Sequence, residues 1–305
     1  MSSLPLPDPK FGDAKAADLV DTVIVPSTKD LGGFTVGRAL PTVKRQMVGP
    51  FILFDQAGPA EVLVSEKFDV RPHPHIGIAT VTYLYNGDIV HRDSIGSEQV
   101  ISPGDVNWMT AGSGIAHSER APGEDRGKTK FVYGFQTWVA LPKTHEEAAP
   151  TFVHRDRDEL PLISGDGASV RLIVGSLYGE RSPVATFTDM FYADVTLQPG
   201  ARLPIDPGHE ERAAYLVEGT VEIGGDIFEG GRLVVFRPGD GLTITARTAS
   251  RIILLGGEAM DGPRHIWWNF VSSSKERIDQ AREDWRMGRF AKVFGDEKDF
   301  IPLPS

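Results

Sequence analysis

Two short pairs, His73-Pro74-His75 and His117-Ser118-Glu119, carry the strongest chemical signal in this chain. Each pair is spaced i, i+2. On a β-strand, side chains two apart leave the same face. Two such strands laid side by side aim three imidazoles and one carboxylate at one point, a donor set suited to a mid-to-late first-row metal such as iron, nickel, copper or zinc. The bland alternative is a set of polar groups with ordinary hydrogen bonds. Against it, the surrounding residues Ile76, Ile78, Val81, Trp108, Met109 and Ile115 are apolar. Gathering several ionisable groups there is costly unless a metal or partner offsets their desolvation. Such surroundings suit a dry pocket with a few polar groups.

The elements that must position these residues read as strands. Residues 20–25, 51–54, 80–85, 131–139, 170–174 and 251–255 are rich in β-branched and aromatic types and are bounded by Gly, Pro or Asp turns. Helical periodicity is absent until residues 274–290 (SKERIDQAREDWRMGRF), which have Ser at the cap and Ile278, Ala281 and Trp285 at helical spacing. The expected fold is all-β with a C-terminal helix.

The chain also repeats itself. Tyr83-Leu84-x-x-Gly87 is matched by Tyr215-Leu216-x-x-Gly219, and Pro103-Gly104-Asp105 by Pro238-Gly239-Asp240, at offsets of 132 and 135 residues. Two copies of one β-domain are expected, 1–146 and 147–305, joined near the polar, proline-bracketed stretch 142–150 (PKTHEEAAP). In this register Arg251-Ile252-Ile253-Leu254 stands where the first copy has His117-Ser118-Glu119, so a metal site is expected in the N-terminal copy only.

The 305 residues suffice for two domains of ordinary size, and the net charge of −10 disfavours an extended nucleic-acid surface. With Cys 0 there is no disulfide, thiolate ligand or cysteine nucleophile. Residues 1–10 are Pro- and Ser-rich without an apolar signal core, and no apolar run reaches membrane-spanning length. The expectation is a cytoplasmic monomer. No Gly-rich loop opening a helix supports nucleotide use.

Other residues carry weaker signals. His91, within Val90-His-Arg-Asp-Ser94, is read either as an orienter of a ligand imidazole or as a solvated turn residue. His145 and His154 read as surface residues, His209 as structural, and His265 as packing near the core. Trp108, Met109, Phe135 and Trp138 are candidate pocket walls, though plain core is the simpler reading. Asp105 reads as a turn residue after Pro-Gly.

Residues 73–83 (HPHIGIATVTY), 91–94 (HRDS) and 103–119 (PGDVNWMTAGSGIAHSE) resemble the pirin family of bicupins. The resemblance continues through 48–56 (VGPFILFDQ), 136–138 (QTW), Leu141-Pro142 and 267–272 (WWNFVS), and so covers nearly the whole chain. It implies two tandem jelly-roll-like cupin β-barrels. It implies one divalent metal on His73, His75, His117 and Glu119, commonly Fe(II), with nickel, copper, manganese or zinc as alternatives. It further implies a dioxygenase that opens flavonols such as quercetin, or a related small aromatic, with dioxygen, Glu119 accepting the substrate proton. The alternative it implies is a non-enzymatic, iron-dependent redox sensor acting as a transcriptional co-regulator through protein partners. One departure stands out: cupins often carry a glutamate where this chain has Ala79, while the second copy has Glu211 at the matching distance from Gly219.

Overall fold

The computed structural model describes residues 19–31, 34–64, 69–239 and 241–304. The opening segment 1–10 and Asp240 of the second Pro-Gly-Asp lie outside them. The described residues are mostly strand, with one α-helix near the C-terminus. They form two compact units, each discontinuous in sequence. Unit I takes Thr28–Arg38, Leu53–Arg157 and Met260–Ser305; unit II takes Ala39–Ile52, Asp158–Ala259 and the described part of Met1–Ser27. The boundary expected at 146/147 is a single cut in sequence, and the compact units do not follow it. Among the described residues no helix is long and apolar enough to cross a membrane.

With strands numbered in chain order, unit I is built on a seven-stranded sheet whose neighbours run Thr151–Arg155 (β12), Val106–Thr110 (β9), Ile78–Asn86 (β6), Thr129–Ala140 (β11), Phe51–Leu63 (β4), Thr35–Leu40 (β3) and Ser27–Asp30 (β2). Its second sheet has four strands, Val70–His75 (β5), Ile115–Arg120 (β10), Ile89–Asp93 (β7) and Glu98–Ile101 (β8). In unit II an eight-stranded sheet runs Val20–Ile24 (β1), Arg232–Phe236 (β21), Glu211–Glu218 (β18), Ser250–Gly257 (β23), Met190–Leu197 (β16), Ala168–Leu177 (β14) and Leu162–Gly165 (β13), with Glu180–Arg181 (β15) paired to β14. Its partner sheet holds Arg202–Ile205 (β17), Leu242–Ala246 (β22), Thr220–Ile223 (β19) and Asp226–Glu229 (β20). The ribbon His265–Trp267 (β24) and Phe270–Ser272 (β25) leads to the helix Lys275–Arg286 (α1).

The strand orders of the two units correspond member by member, so the repeat is real, but its register needs correction. Gly87 ends β6 and Gly219 ends β18, with φ of 84° and 85°, a turn conformation that favours glycine. The Pro-Gly-Asp match is accidental: Pro103-Gly104 lies between β8 and β9, Pro238-Gly239 between β21 and β22. Residues 251–254 therefore lie in the counterpart of β11, and the counterpart of β10 is β22. On the face where β5 and β10 carry histidines, unit II carries Leu203, Ile205, Leu242 and Ile244, all in its aliphatic core.

Each sheet is completed by a strand from the start of the other repeat. β1 is the first strand among the described residues yet pairs antiparallel with β21, and β12 follows the linker yet pairs antiparallel with β9. Both are short runs of β-forming residues, and nothing local to them names a partner.

Helix α1 begins where Ser274 accepts a hydrogen bond from the Arg277 amide at 3.2 Å. It buries Ile278 and Ala281 against Ile76 and Phe270. It stops at Arg286 instead of reaching residue 290, because the chain turns at Gly288, φ +66°. Packing on Ile76 places this helix and β25 directly behind the turn that follows His75.

That turn is Gly77, with φ +68°; a Cβ there would lie 2.0 Å from the Val271 carbonyl oxygen. Gly77→Ala is expected to destabilise the protein by about 3 kcal/mol or more, combining an unfavourable left-handed alanine with a backbone clash. A shift in the urea midpoint reads this, and an unchanged midpoint would refute the constraint.

Candidate metal centre

Strands β5 and β10 are antiparallel neighbours with His117 directly opposite His73 and Ile115 opposite His75. Directly opposed residues share a face, so all three histidines leave the four-stranded sheet on the same side. Their ring centroids lie 4.3 Å (His73–His117), 5.0 Å (His73–His75) and 5.0 Å (His75–His117) apart. One ligand atom from each lies within 4.8 Å of the others. All three are buried, with 6%, 1% and 1% exposure for His73, His75 and His117.

Each ring is held by one nitrogen. His73 Nδ1 lies 2.9 Å from the Arg71 carbonyl oxygen, His75 Nδ1 3.1 Å from that of Asn269, and His117 Nδ1 3.4 Å from His91 Nδ1. Imidazoles that bind metals are commonly oriented this way through the second ring nitrogen. The Nε2 atoms are then the ligand atoms, and His117 Nε2 is buried without a hydrogen-bond partner. A buried orphan of this kind is unfavourable by about 1–3 kcal/mol unless something binds it. Burial drives the His73 pKa down to about 4 and holds His75 and His117 well below the ordinary histidine value, with the neighbouring imidazoles adding to the effect. Three neutral, pre-oriented imidazoles with lone pairs converging in an apolar site fit a divalent metal.

Glu119, the fourth expected ligand, is placed differently. The pairing of β10 with β5 slips between His117 and Glu119, which stands opposite Val70. Its carboxylate is not among the atoms within 4.8 Å of one another. Oε1 accepts instead from the Thr82 hydroxyl at 3.3 Å. Burial raises the Glu119 pKa, opposed by His91 and by the Thr82 hydrogen bond.

His91 is no solvated turn residue. It is buried on β7 opposite Glu119, touches His117, and stacks on Phe152 with ring centroids 4.3 Å apart. Its Nε2 lies 3.1 Å from Asp93 Oδ2. Burial works against the Asp93 carboxylate, but bonds from His91 and Ser97 outweigh it and keep its pKa below the usual value. The resulting chain Asp93–His91–His117 fixes the imidazole of one candidate ligand.

The larger sheet supplies the facing wall. Trp138 sits edge-on to His75 at 5.1 Å, and strand register puts Thr80, Met109 and Phe152 on the same face as Trp138. Trp108 and Phe135 pair with Val81 and Tyr83 and lie on the opposite face, as plain core. Ala79 is also on that opposite face, paired with Thr110 and Val139. A glutamate at 79 would not point at the imidazoles, so the departure from the common cupin pattern removes nothing from this site. Its counterpart Glu211 is structural, binding the Gly49 amide at 2.5 Å and Arg45 at 3.0 Å.

His145 is exposed as expected. His154 is half-buried, its Nδ1 2.7 Å from Asn107 Oδ1 and its Nε2 3.1 Å from Asp156. With Asp105 these two form a second group of potential ligands. Asp105 is already engaged as a turn residue by the Ser102 and Arg157 amides, and Asp156 is largely exposed. His209 packs on Phe191, and His265 lies half-buried in β24. Among the described residues no potential metal-ligand group falls in unit II. Sequence reasoning did not single out Thr82, Phe152, Arg71 or Asn269. Their roles arise from strand register and backbone carbonyls, which leave no compositional trace.

Two regions of the chain match family descriptions, Pirin over residues 33–139 and Pirin C-terminal cupin domain over residues 192–291. A pirin-like protein of Caulobacter vibrioides is 47% identical over 292 residues, 94% of this chain and 100% of the relative. The chain belongs to the pirin family. A pirin-like protein of Solanum lycopersicum is 32% identical over 278 residues, spanning 89% of this pirin-family chain and 92% of its own. The crystal structure of quercetin 2,3-dioxygenase from Acinetobacter baumannii matches with a TM-score of 0.86 at 30% identity, covering 97% of each chain. As a pirin-family bicupin, this protein has its candidate metal ligands in the unit that contains most of the first matched region.

Proposed function

We propose that the protein is a metal-dependent dioxygenase acting on a flavonol such as quercetin or a related small aromatic, with the metal on His73, His75, His117 and Glu119. The observation that carries this reading is the convergence of three neutral imidazoles, each fixed through Nδ1 and one with a buried, unpartnered Nε2. The likeness to the Acinetobacter quercetin 2,3-dioxygenase supports the substrate class. Fe(II) is the proposed metal, with nickel, copper, manganese or zinc as possible replacements, since N/O sites follow metal availability as well as preference.

A divalent metal supplies Lewis acidity and an electron path between an aromatic hydroxyl and dioxygen. The chain's own residues do the remainder. Trp138, Met109 and Phe152 offer a flat apolar wall beside the imidazoles, suited to an aromatic face. Glu119, whose carboxyl burial makes more basic, accepts the proton of the substrate hydroxyl. Apolar packing around the histidines limits competing water.

The test is Glu119→Gln in metal-reconstituted protein. The expected result is retained metal with dioxygen uptake on quercetin reduced by about 100-fold or more, the scale of general-base contributions. Full uptake would remove Glu119 from the mechanism. Bound metal with no uptake in the wild type would remove quercetin as substrate.

A further inference from the structure

Each imidazole of the cluster has one atom anchored and another left for a ligand. Glu119 stands outside that group of converging ligand atoms, yet it too has one oxygen anchored, by Thr82. Glu119 Oε1 is 3.3 Å from Thr82 Oγ1, which leaves Oε2 for ligation. Thr82 Oγ1 is also 2.7 Å from Gln136 Oε1. A hydroxyl has one proton to give, and two acceptor oxygens cannot both receive it. The two ends of a glutamine amide are assigned from such networks. Turning the Gln136 amide presents its NH2 to Thr82, which frees the hydroxyl proton for Glu119. The chain of donors then runs from the Gln136 amide to the Thr82 hydroxyl to the Glu119 carboxylate.

Strand register makes this arrangement rigid. Gln136 on β11, Thr82 on β6 and Asn107 on β9 stand directly opposite one another. They form a polar row on the inward face, beside the row of Trp138, Thr80 and Met109 that faces the imidazoles. Thr82 is 6% exposed, so its hydroxyl has little access to water and depends on these partners.

We propose that Thr82, oriented by Gln136, is the positioning residue for Glu119: it fixes one carboxylate oxygen, so that only the other is left to turn toward a metal bound on the imidazoles. This rests on the four-ligand reading given above. Thr82 acts through Glu119 and touches no reacting atom.

The experiment uses the full-length chain with Co(II) as probe, measuring affinity by chelator competition and coordination by the visible ligand-field spectrum. Wild type should take up one Co(II). Thr82→Val should keep that stoichiometry, weaken affinity by about 10–100-fold, the range for outer hydrogen-bond partners of metal ligands, and alter the spectrum. Thr82→Ser, which restores the hydroxyl, should recover both. In a Glu119→Ala background, Thr82→Val should change affinity no further, because the interaction it removes is already gone. An unchanged affinity and spectrum in Thr82→Val would overturn the proposal, as would an equal loss in the Glu119→Ala background. Should Thr82→Val fail to fold, Thr82→Ala, which also removes the hydroxyl, is read the same way. Absence of Co(II) uptake by wild type would instead bring down the metal reading itself, and this proposal with it.

Discussion

Replacing His117 by alanine is expected to abolish stoichiometric metal binding, and dioxygen uptake with it. His117 is the shared neighbour of the other two imidazoles, with centroids 4.3 Å from His73 and 5.0 Å from His75. Its Nε2 is the buried atom without a partner, and its Nδ1 is held by a histidine that Asp93 holds in turn. Removing the ring deletes a ligand and strands that supporting chain. The affinity loss should exceed the roughly 10–100-fold carried by outer hydrogen-bond partners alone. Elemental analysis after anaerobic reconstitution with Fe(II) reads the result. His145→Ala serves as control and should retain metal, since His145 is exposed and outside the cluster. One metal per chain in His117→Ala would show that the imidazole cluster is not where the metal binds.

The second large effect is acid lability of the metal-free protein. The His73 pKa falls from 6.5 to about 4 on folding because burial penalises its charged form, and burial also holds His75 and His117 well below 6.5. Between these values the unfolded chain binds protons that the folded chain refuses. Stability is therefore full above pH 6.5 and declines as pH falls through the window toward 4, with His75 and His117 acting in the same direction. For His73 alone the gap corresponds to about 3 kcal/mol. His75 and His117 add losses of the same sign. Between pH 6.5 and 5 carboxylates in the usual range remain ionised, while Glu119 and Asp55, whose pKa values burial raises, act in the opposite sense to the three histidines. Urea unfolding of metal-stripped protein at pH 7.5, 6.5, 5.5 and 5 should show the falling midpoint, and His73→Gln should flatten it. A midpoint independent of pH across that range would mean the imidazoles are not buried in the neutral form.

Much of the site was legible because its chemistry is written in alternation. His73 and His75 share a face on any straight strand, and His117 needs only an antiparallel neighbour. Glu119 was harder: it stands i, i+2 from His117, but the slip opposite Val70 changes what the carboxylate meets. The anchors were out of reach. Arg71 and Asn269 act through backbone carbonyls, and Asn269 lies 194 residues from His75. Thr82 looks like any β-branched strand residue until the fold brings its hydroxyl within 3.3 Å of the Glu119 carboxylate. The fold class followed from composition and turn spacing. The repeat was read correctly at Gly87 and Gly219, where a positive φ constrains the residue type, and misread at Pro-Gly-Asp, a tripeptide any tight turn can use.

The exchanged strands β1 and β12 bear on what a fragment of this gene would encode. A product ending at residue 146 would leave β9 (VNWMT) with an open edge along an otherwise buried strand, and would lack the Asn269 carbonyl that orients His75. The complementary product would lack β1 and the Arg45 and Gly49 partners of Glu211. Open, apolar sheet edges recruit other chains. Half-genes drawn at the repeat boundary would thus yield sticky, incomplete sheets, and the duplication that this chain preserves in its topology is no longer one that cutting can reverse.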